Sequence, residues 1–138
     1  MWPFRRGRSP GRSDGRLGRR GEKLAVRCLR GKGYKILARN FRCPSGEADI
    51  IALDPSARAS GAGTIAFVEV KTRSSDAYVD PESAIDARKR RQLTRVARYY
   101  LAGRDAADYA ARFDVVAVVV PDGGRPRVRH TIAAFEPA

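Results

Sequence analysis

The stretch Thr64-Ile65-Ala66-Phe67-Val68-Glu69-Val70-Lys71-Thr72-Arg73 decides how this sequence is read. Its apolar run reads as a strand, and the strand carries a carboxylate and an ammonium two residues apart. Side chains alternate faces along a strand, so Glu69 and Lys71 emerge on the side that begins with Ile65 and Phe67. The other side is Ala66, Val68 and Val70. A strand apolar on both faces is buried on both. Isolated charges cost too much to bury there, so they are normally paired or bound to a metal. Glu69 and Lys71 lie at the end of the strand, where the core meets solvent and α/β proteins often place their sites.

Working outward, residues 55–63 (PSARASGAG) read as a flexible hairpin loop, and residues 47–54 as the preceding strand. Glu47, Asp49, Ile51 and Leu53 share one face of that strand; Ala48, Ile50 and Ala52 share the other. A turn through Pro44-Ser45-Gly46 separates it from a short strand over 34–40. Before that, residues 14–32 form a helix, with Ser13 or Asp14 as N-cap and Gly33 as the stop. Leu17, Leu24, Ala25, Cys28 and Leu29 mark its apolar face, and Glu22 lies at the rim of that face. C-terminal to the central strand, loop 73–80 leads to a helix over 81–102, started by Asp80-Pro81 and stopped by Gly103. Ile85, Leu93, Val96, Ala97, Tyr100 and Leu101 mark its inner side. Residues 112–120 (RFDVVAVVV) read as a fully buried strand and 127–135 as a last one. The order is α-β-β-β-α-β-β: two helices packed on a central mixed sheet.

The chain has 138 residues and a net charge of +13, a size that suits one domain, read here as 14–138. Residues 1–13, rich in Arg, Gly, Ser and Pro, read as a disordered basic tail. Charge is clustered: residues 1–32 hold 11 Lys/Arg against 2 Asp/Glu, and 81–104 hold 7 against 2, while the rest is balanced. Two such clusters suit a polyanion, whose phosphates attract cations and release counterions. No apolar run approaches the roughly 20 residues of a membrane span, and the first residues lack the apolar centre of a secretory signal. The expected location is therefore the cytoplasm, with no membrane partner. Cys28 and Cys43 form neither a metal cluster nor a disulfide framework and read as free thiols, Cys28 in the core and Cys43 in a loop.

If strands 47–54 and 64–72 pair as a hairpin, Asp49 and Glu69 lie on neighbouring strands and one sheet face. Two carboxylates converging at a core edge repel one another unless something positive sits between them. Mg²⁺ suits: it takes one or two carboxylates and fills its octahedron with waters and substrate phosphate. A lysine beside it can orient the attacking water and offset transition-state charge. Glu22 can complete that shell, contact a ligand water, or simply pair with a neighbouring Arg.

Asp49, then Glu69-x-Lys71 on the next strand, with a glutamate on the preceding helix, resembles the PD-(D/E)xK nuclease superfamily. More narrowly, Gly21-Glu22, Gly33-Tyr34-Lys35-Ile36-Leu37, Arg39-Asn40, Gly46-Glu47-Ala48-Asp49-Ile50-Ile51, Phe67 to Arg73, Tyr100-Leu101 and Arg112-Phe113-Asp114-Val115-Val116 form a set of segments. Together they are similar to the YraN-like UPF0102 family, regarded as related to Holliday-junction resolvases. The resemblance spans about residues 16–135 and implies a restriction-endonuclease-like αβββαβ core. It implies Asp49 and Glu69 as ligands of Mg²⁺ (or Mn²⁺), joined by the Val70 carbonyl, with Lys71 as the catalytic lysine and Glu22 as an auxiliary acid. Ala48 stands where the proline of the superfamily motif would be, a position that performs no chemistry. Lys89, Arg91 and Gln92 are candidates to face the site or nucleic acid, although a solvated basic helix face explains each equally well. Arg73 is a further phosphate contact. Glu47 reads as a turn residue and His130 as structural.

The expected activity is metal-dependent hydrolysis of phosphodiester bonds in DNA, with branched or otherwise structured DNA recognised by shape, since phosphate contacts carry no sequence information. A homodimer would suit a four-way junction. The alternative is a nuclease fold that binds nucleic acid without turnover. A third reading makes Glu69–Lys71 a plain structural ion pair.

Overall fold

The computed structural model describes residues 13–56, 63–74, 85–104, 106 and 108–137. At its centre lies the opening stretch, strand β3 (Thr64–Arg73), flanked by β2 (Gly46–Leu53) and β4 (Ala110–Val119). Strands β1 (Lys35–Cys43) and β5 (Arg127–Phe135) form the edges of a five-stranded sheet of order β1-β2-β3-β4-β5. Only β3 and β4 are parallel, joined by the crossover that contains helix α2 (Ala87–Gly103); the other pairs are antiparallel. Helix α1 (Ser13–Gly31) covers the face opposite α2. This is the mixed sheet flanked by two helices that the sequence predicts.

The alternation read along β3 separates two cores. Ile65 and Phe67 pack with Ile51, Leu93, Val96, Phe113 and Val115 beneath α2. Ala66 and Val68 pack with Ile50, Ala52, Val116, Val118, Ala25, Val26 and Leu29 beneath α1. Helix α1 stops as predicted: Gly33 (φ 93°) and Tyr34 donate back to the Arg30 and Leu29 carbonyls, a Schellman closure with Tyr34 buried beside Leu29.

Several boundaries differ. Strand β1 runs on to Cys43 rather than ending near 40, because Asn40 enters the left-handed region (φ 52°), which Asn tolerates, without breaking the ladder. Cys43 therefore sits half-buried at a strand end, not in a loop, and Cys28 is half-buried rather than core. Helix α2 begins at Ala87: Asp86 is its N-cap and accepts a 2.8 Å bond from the Lys89 amide. Ile85 is buried but precedes the helix, and the predicted start at 81–84 lies outside the described residues. So does the basic tail, save Ser13, which begins α1.

Candidate functional site

The β2–β3 ladder pairs Leu53 with Ile65, Ala52 with Ala66, Ile51 with Phe67 and Ile50 with Val68, and there it ends. The same register would next oppose Asp49 to Glu69. Instead the Val70 amide, pointing toward β2, donates 2.8 Å to Asp49 Oδ2. A carboxylate thus replaces the backbone partner at the point where the two strands part. Strand β3 continues against β4 as far as Arg73 and Val119, so Glu69 and Lys71 remain on a rigid element.

Glu69 is 6% exposed, yet its carboxylate is bracketed by cations: Lys71 Nζ lies 3.4 Å from Oε2 and Lys89 Nζ lies 3.8 Å from Oε1. Lys89 also donates 3.1 Å to Gln92 Oε1, and Gln92 packs over the start of β2, where a Cβ on Gly46 would fall 2.5 Å from Gln92 Cγ. Helix α2 therefore contributes Lys89 and Gln92 to the site, while Arg91 points to solvent. Arg73 is exposed at the end of β3.

On the other face, α1 approaches β3 so closely at Gly21 that a Cβ there would lie 1.9 Å from Thr72 Oγ1 and 2.9 Å from Thr72 Cβ. Only glycine fits, and the close approach carries the next residue, Glu22, toward the strand ends. Asn40 Nδ2 donates 3.3 Å to Glu22 Oε1. Burial, then the Glu69 carboxylate, then that of Glu22 raise the Asp49 carboxyl well above the usual range, against the Val70 bond and the charge of Lys89, which lower it. Asp49 is the acid on which the others bear. Among the described residues no three His, Cys, Asp or Glu converge into a metal-holding group, so Glu22 adds charge near the pair rather than a third close donor.

Donor chemistry nevertheless suits a hard divalent cation. Two carboxylates from adjacent strands are what Mg²⁺ takes from protein, the rest being waters and phosphate. The crowding that raises Asp49 is the strain that a cation relieves. Glu47, on the same face, is buried and lies 3.5 Å from Arg42 Nε, so it engages more than a turn.

A second charged cluster lies toward the other end of the sheet, beneath α1. Asp114 is fully buried on β4. It accepts from Arg112 Nε (2.9 Å) and Nη2 (2.8 Å), His130 Nε2 (2.9 Å) and the Ala133 amide (3.0 Å). Arg112 also reaches Asp54 and Tyr34 Oη, and Lys32 Nζ lies 2.9 Å from His130 Nδ1. Burial pushes both acids up, but hydrogen bonds outweigh it. His130 and Arg112 hold Asp114 below its usual range, and Arg112 and Ser56 hold Asp54 at about 2. His130 thus has a place in the scaffold. The one local mark of this network in the sequence is Arg112-x-Asp114, opposite charges two apart at the start of a β-branched run, the spacing of Glu69-x-Lys71; His130, Asp54 and Tyr34 join it only through the fold.

Residues 21–118 match the sequence model of the Uncharacterised protein family UPF0102. The UPF0102 protein of Pelobacter propionicus is 44% identical over 129 residues, covering 93% of this chain and 89% of the relative. That of Geotalea daltonii is 43% identical over 130 residues (94% and 97%), and that of Nocardia farcinica 44% identical over 119 (86% and 88%). The chain belongs to the UPF0102 family.

Proposed function

We propose that this member of the UPF0102 family is a metal-dependent nuclease that hydrolyses phosphodiester bonds in DNA, with structured or branched DNA as its preferred form. The observation that carries the reading is the meeting of Asp49 and Glu69 where the β2–β3 ladder opens, with Lys71 and Lys89 beside them. Such a meeting costs stability, and fold alone gives it no reason.

Asp49 and Glu69 would hold Mg²⁺ or Mn²⁺, with the Val70 carbonyl as a neighbouring oxygen donor. When bound, the ion supplies Lewis-acid polarisation of the phosphate and acidifies water. The chain's own groups do the rest. Lys71, half-buried on a rigid strand, offsets negative charge on the non-bridging oxygens as water attacks phosphorus. Lys89, steadied by Gln92 and Glu69, places a second cation over the same carboxylate. Glu22 orients polar partners from α1. One water is consumed and one P–O bond breaks, leaving a phosphate end and a hydroxyl end. Arg73, Arg91 and the exposed Arg19, Arg20 and Lys23 of α1 offer phosphate contacts around the site. No described helix is long and apolar enough to cross a membrane, and a basic surface suits a nucleic-acid partner, either as a monomer or as a homodimer across a junction.

A second reading has an observation of its own. Both oxygens of Glu69 already face ammonium groups, so the cluster is close to neutral without a metal, as in a module that binds nucleic acid without cutting it. Cleavage of labelled duplex, single-strand, flap, four-way-junction and RNA substrates with Mg²⁺ or Mn²⁺ separates the two. The nuclease reading expects cutting by the wild type and none by Asp49→Asn or Lys71→Met. Asp49→Asn relieves the crowding against Glu69 and Glu22, so it should fold at least as stably. Equal metal-dependent cutting by wild type and variants contradicts the assignment, and salt-sensitive binding without any cutting establishes the binding module.

A further inference from the structure

Helix α2 carries six Lys/Arg over Ala87–Gly103 and no acidic residue. Four of the cations, Arg88, Lys89, Arg90 and Arg91, stand in its first turns, next to the positive end of the helix dipole, where each is unfavourable. Lys89 is held by Glu69 and Gln92, and Arg90 turns back to the Ile85 carbonyl and the Phe135 ring. Arg88 and Arg91, with Arg95 and Arg98, are exposed and have no carboxylate partner among the described residues.

Positions 88, 91, 95, 98 and 99 fall within an arc of about 100° on a helix of 3.6 residues per turn. The four arginines therefore make one ridge, and Tyr99 stands at its far end. Tyr99 is 47% exposed, one of two large exposed hydrophobic residues in the described chain. Its ring does not hang free: it leans on Phe41 of β1 at 6.4 Å between centroids. Phe41 in turn meets Tyr100 edge-on at 5.2 Å and lies beneath Arg104. One side of Tyr99 is thus supported by the fold while the ring remains half exposed. At 1.5 Å per residue, the ridge from Lys89 at the candidate site to Tyr99 is about 15 Å long.

We propose that the outer face of α2 is a track for single-stranded nucleic acid, leading from the candidate site along Arg88, Arg91, Arg95 and Arg98 to an unpaired base stacked on Tyr99. Cations in line followed by a supported aromatic ring are the arrangement that holds a strand without reading its sequence, the ring taking any base by its π-face. A duplex would use the arginines but offers no free base to the ring. The track deepens the reading above by naming the unpaired part of the substrate, and it rests on that reading only in taking nucleic acid as the partner.

The test is metal-free binding by fluorescence anisotropy, so its failure is distinct from a failure to cleave. The probes are labelled oligodeoxythymidine, an oligonucleotide of equal length with abasic sites, and a blunt duplex. The wild type is expected to bind oligodeoxythymidine at least about fivefold more tightly than the abasic strand, the lower limit for one stacked base. Tyr99→Ala should remove that preference without changing duplex binding, and Tyr99→Trp should keep it. Arg91→Glu with Arg95→Glu should weaken all three and flatten the salt dependence. Equal affinity of the wild type for the thymidine and abasic strands, or an unchanged preference in Tyr99→Ala, overturns the stacking. Unchanged affinity in the arginine variant overturns the track.

Discussion

Replacing Asp114 by Asn tests how much of this fold depends on one buried charge. Asp114 is fully buried and is the shared acceptor for Arg112, His130 and the Ala133 amide. An asparagine of the same shape leaves one oxygen but turns a donor toward Arg112 or His130, where an acceptor stood. Removing one partner of a buried ion pair costs about 3–5 kcal/mol, because the remaining charge is left uncompensated. Arg112 keeps Asp54 and Tyr34 and its side chain is 18% exposed, which favours the lower end. Entropies of unfolding for a chain of this size convert that to a fall in Tm of roughly 10–15 °C. Arg112→Met should cost at least as much, since it strands two carboxylates. Calorimetry or thermal circular dichroism reads both. A fall below about 3 °C for Asp114→Asn, equivalent to about 1 kcal/mol, would refute the reasoning that the network anchors β4, β5 and the end of α1.

The same network sets the response to acid. Folded-state values of Asp54 (about 2) and Asp114 lie below those of the unfolded chain. Their contribution is therefore present above about pH 4 and is lost as the pH falls through the folded values. Urea midpoints should drop between pH 4 and pH 2.5, with a shallower drop in Asp54→Asn; parallel profiles for the two proteins would contradict this. Gly21→Ala forces α1 away from Thr72 and should cost about 1–3 kcal/mol, the usual range for overpacking. Thr72→Ala in the same chain should restore part of that stability, and no loss in Gly21→Ala would show that the helix does not approach β3 as described.

Most of the architecture was legible because β3 announces itself. An apolar run with period-two charges at one end gave the central strand, and its two faces predicted the two cores now seen around Phe67 and Val68. The end of β1 was not legible, because Asn40 is as much a turn residue as one that a strand tolerates. The sequence places the start of α2 at Asp80-Pro81, the stronger local signal; only the fold shows that Asp86 caps the helix, through its bond to the Lys89 amide. The nearness of Asp49 to Glu69 required a register that a flexible hairpin loop does not set; the structure supplies it, together with the Val70–Asp49 bond. Nor does any local pattern say that Lys89, far along the chain, meets Glu69 across the core edge. The Arg112–Asp114–His130 network needs β4 and β5 side by side, and no spacing within one segment encodes that pairing.

The central claim is that Asp49 and Glu69 form a cation site where β2 and β3 part. The most direct test needs no knowledge of the substrate: titrate Mn²⁺ into the protein and follow free Mn²⁺ by electron paramagnetic resonance. The account predicts that the wild type and Lys71→Met bind the ion and that Asp49→Asn and Glu69→Gln each lose at least about tenfold in affinity, as loss of a charged ligand requires. Undiminished binding by both carboxylate variants, or none by the wild type, would contradict it.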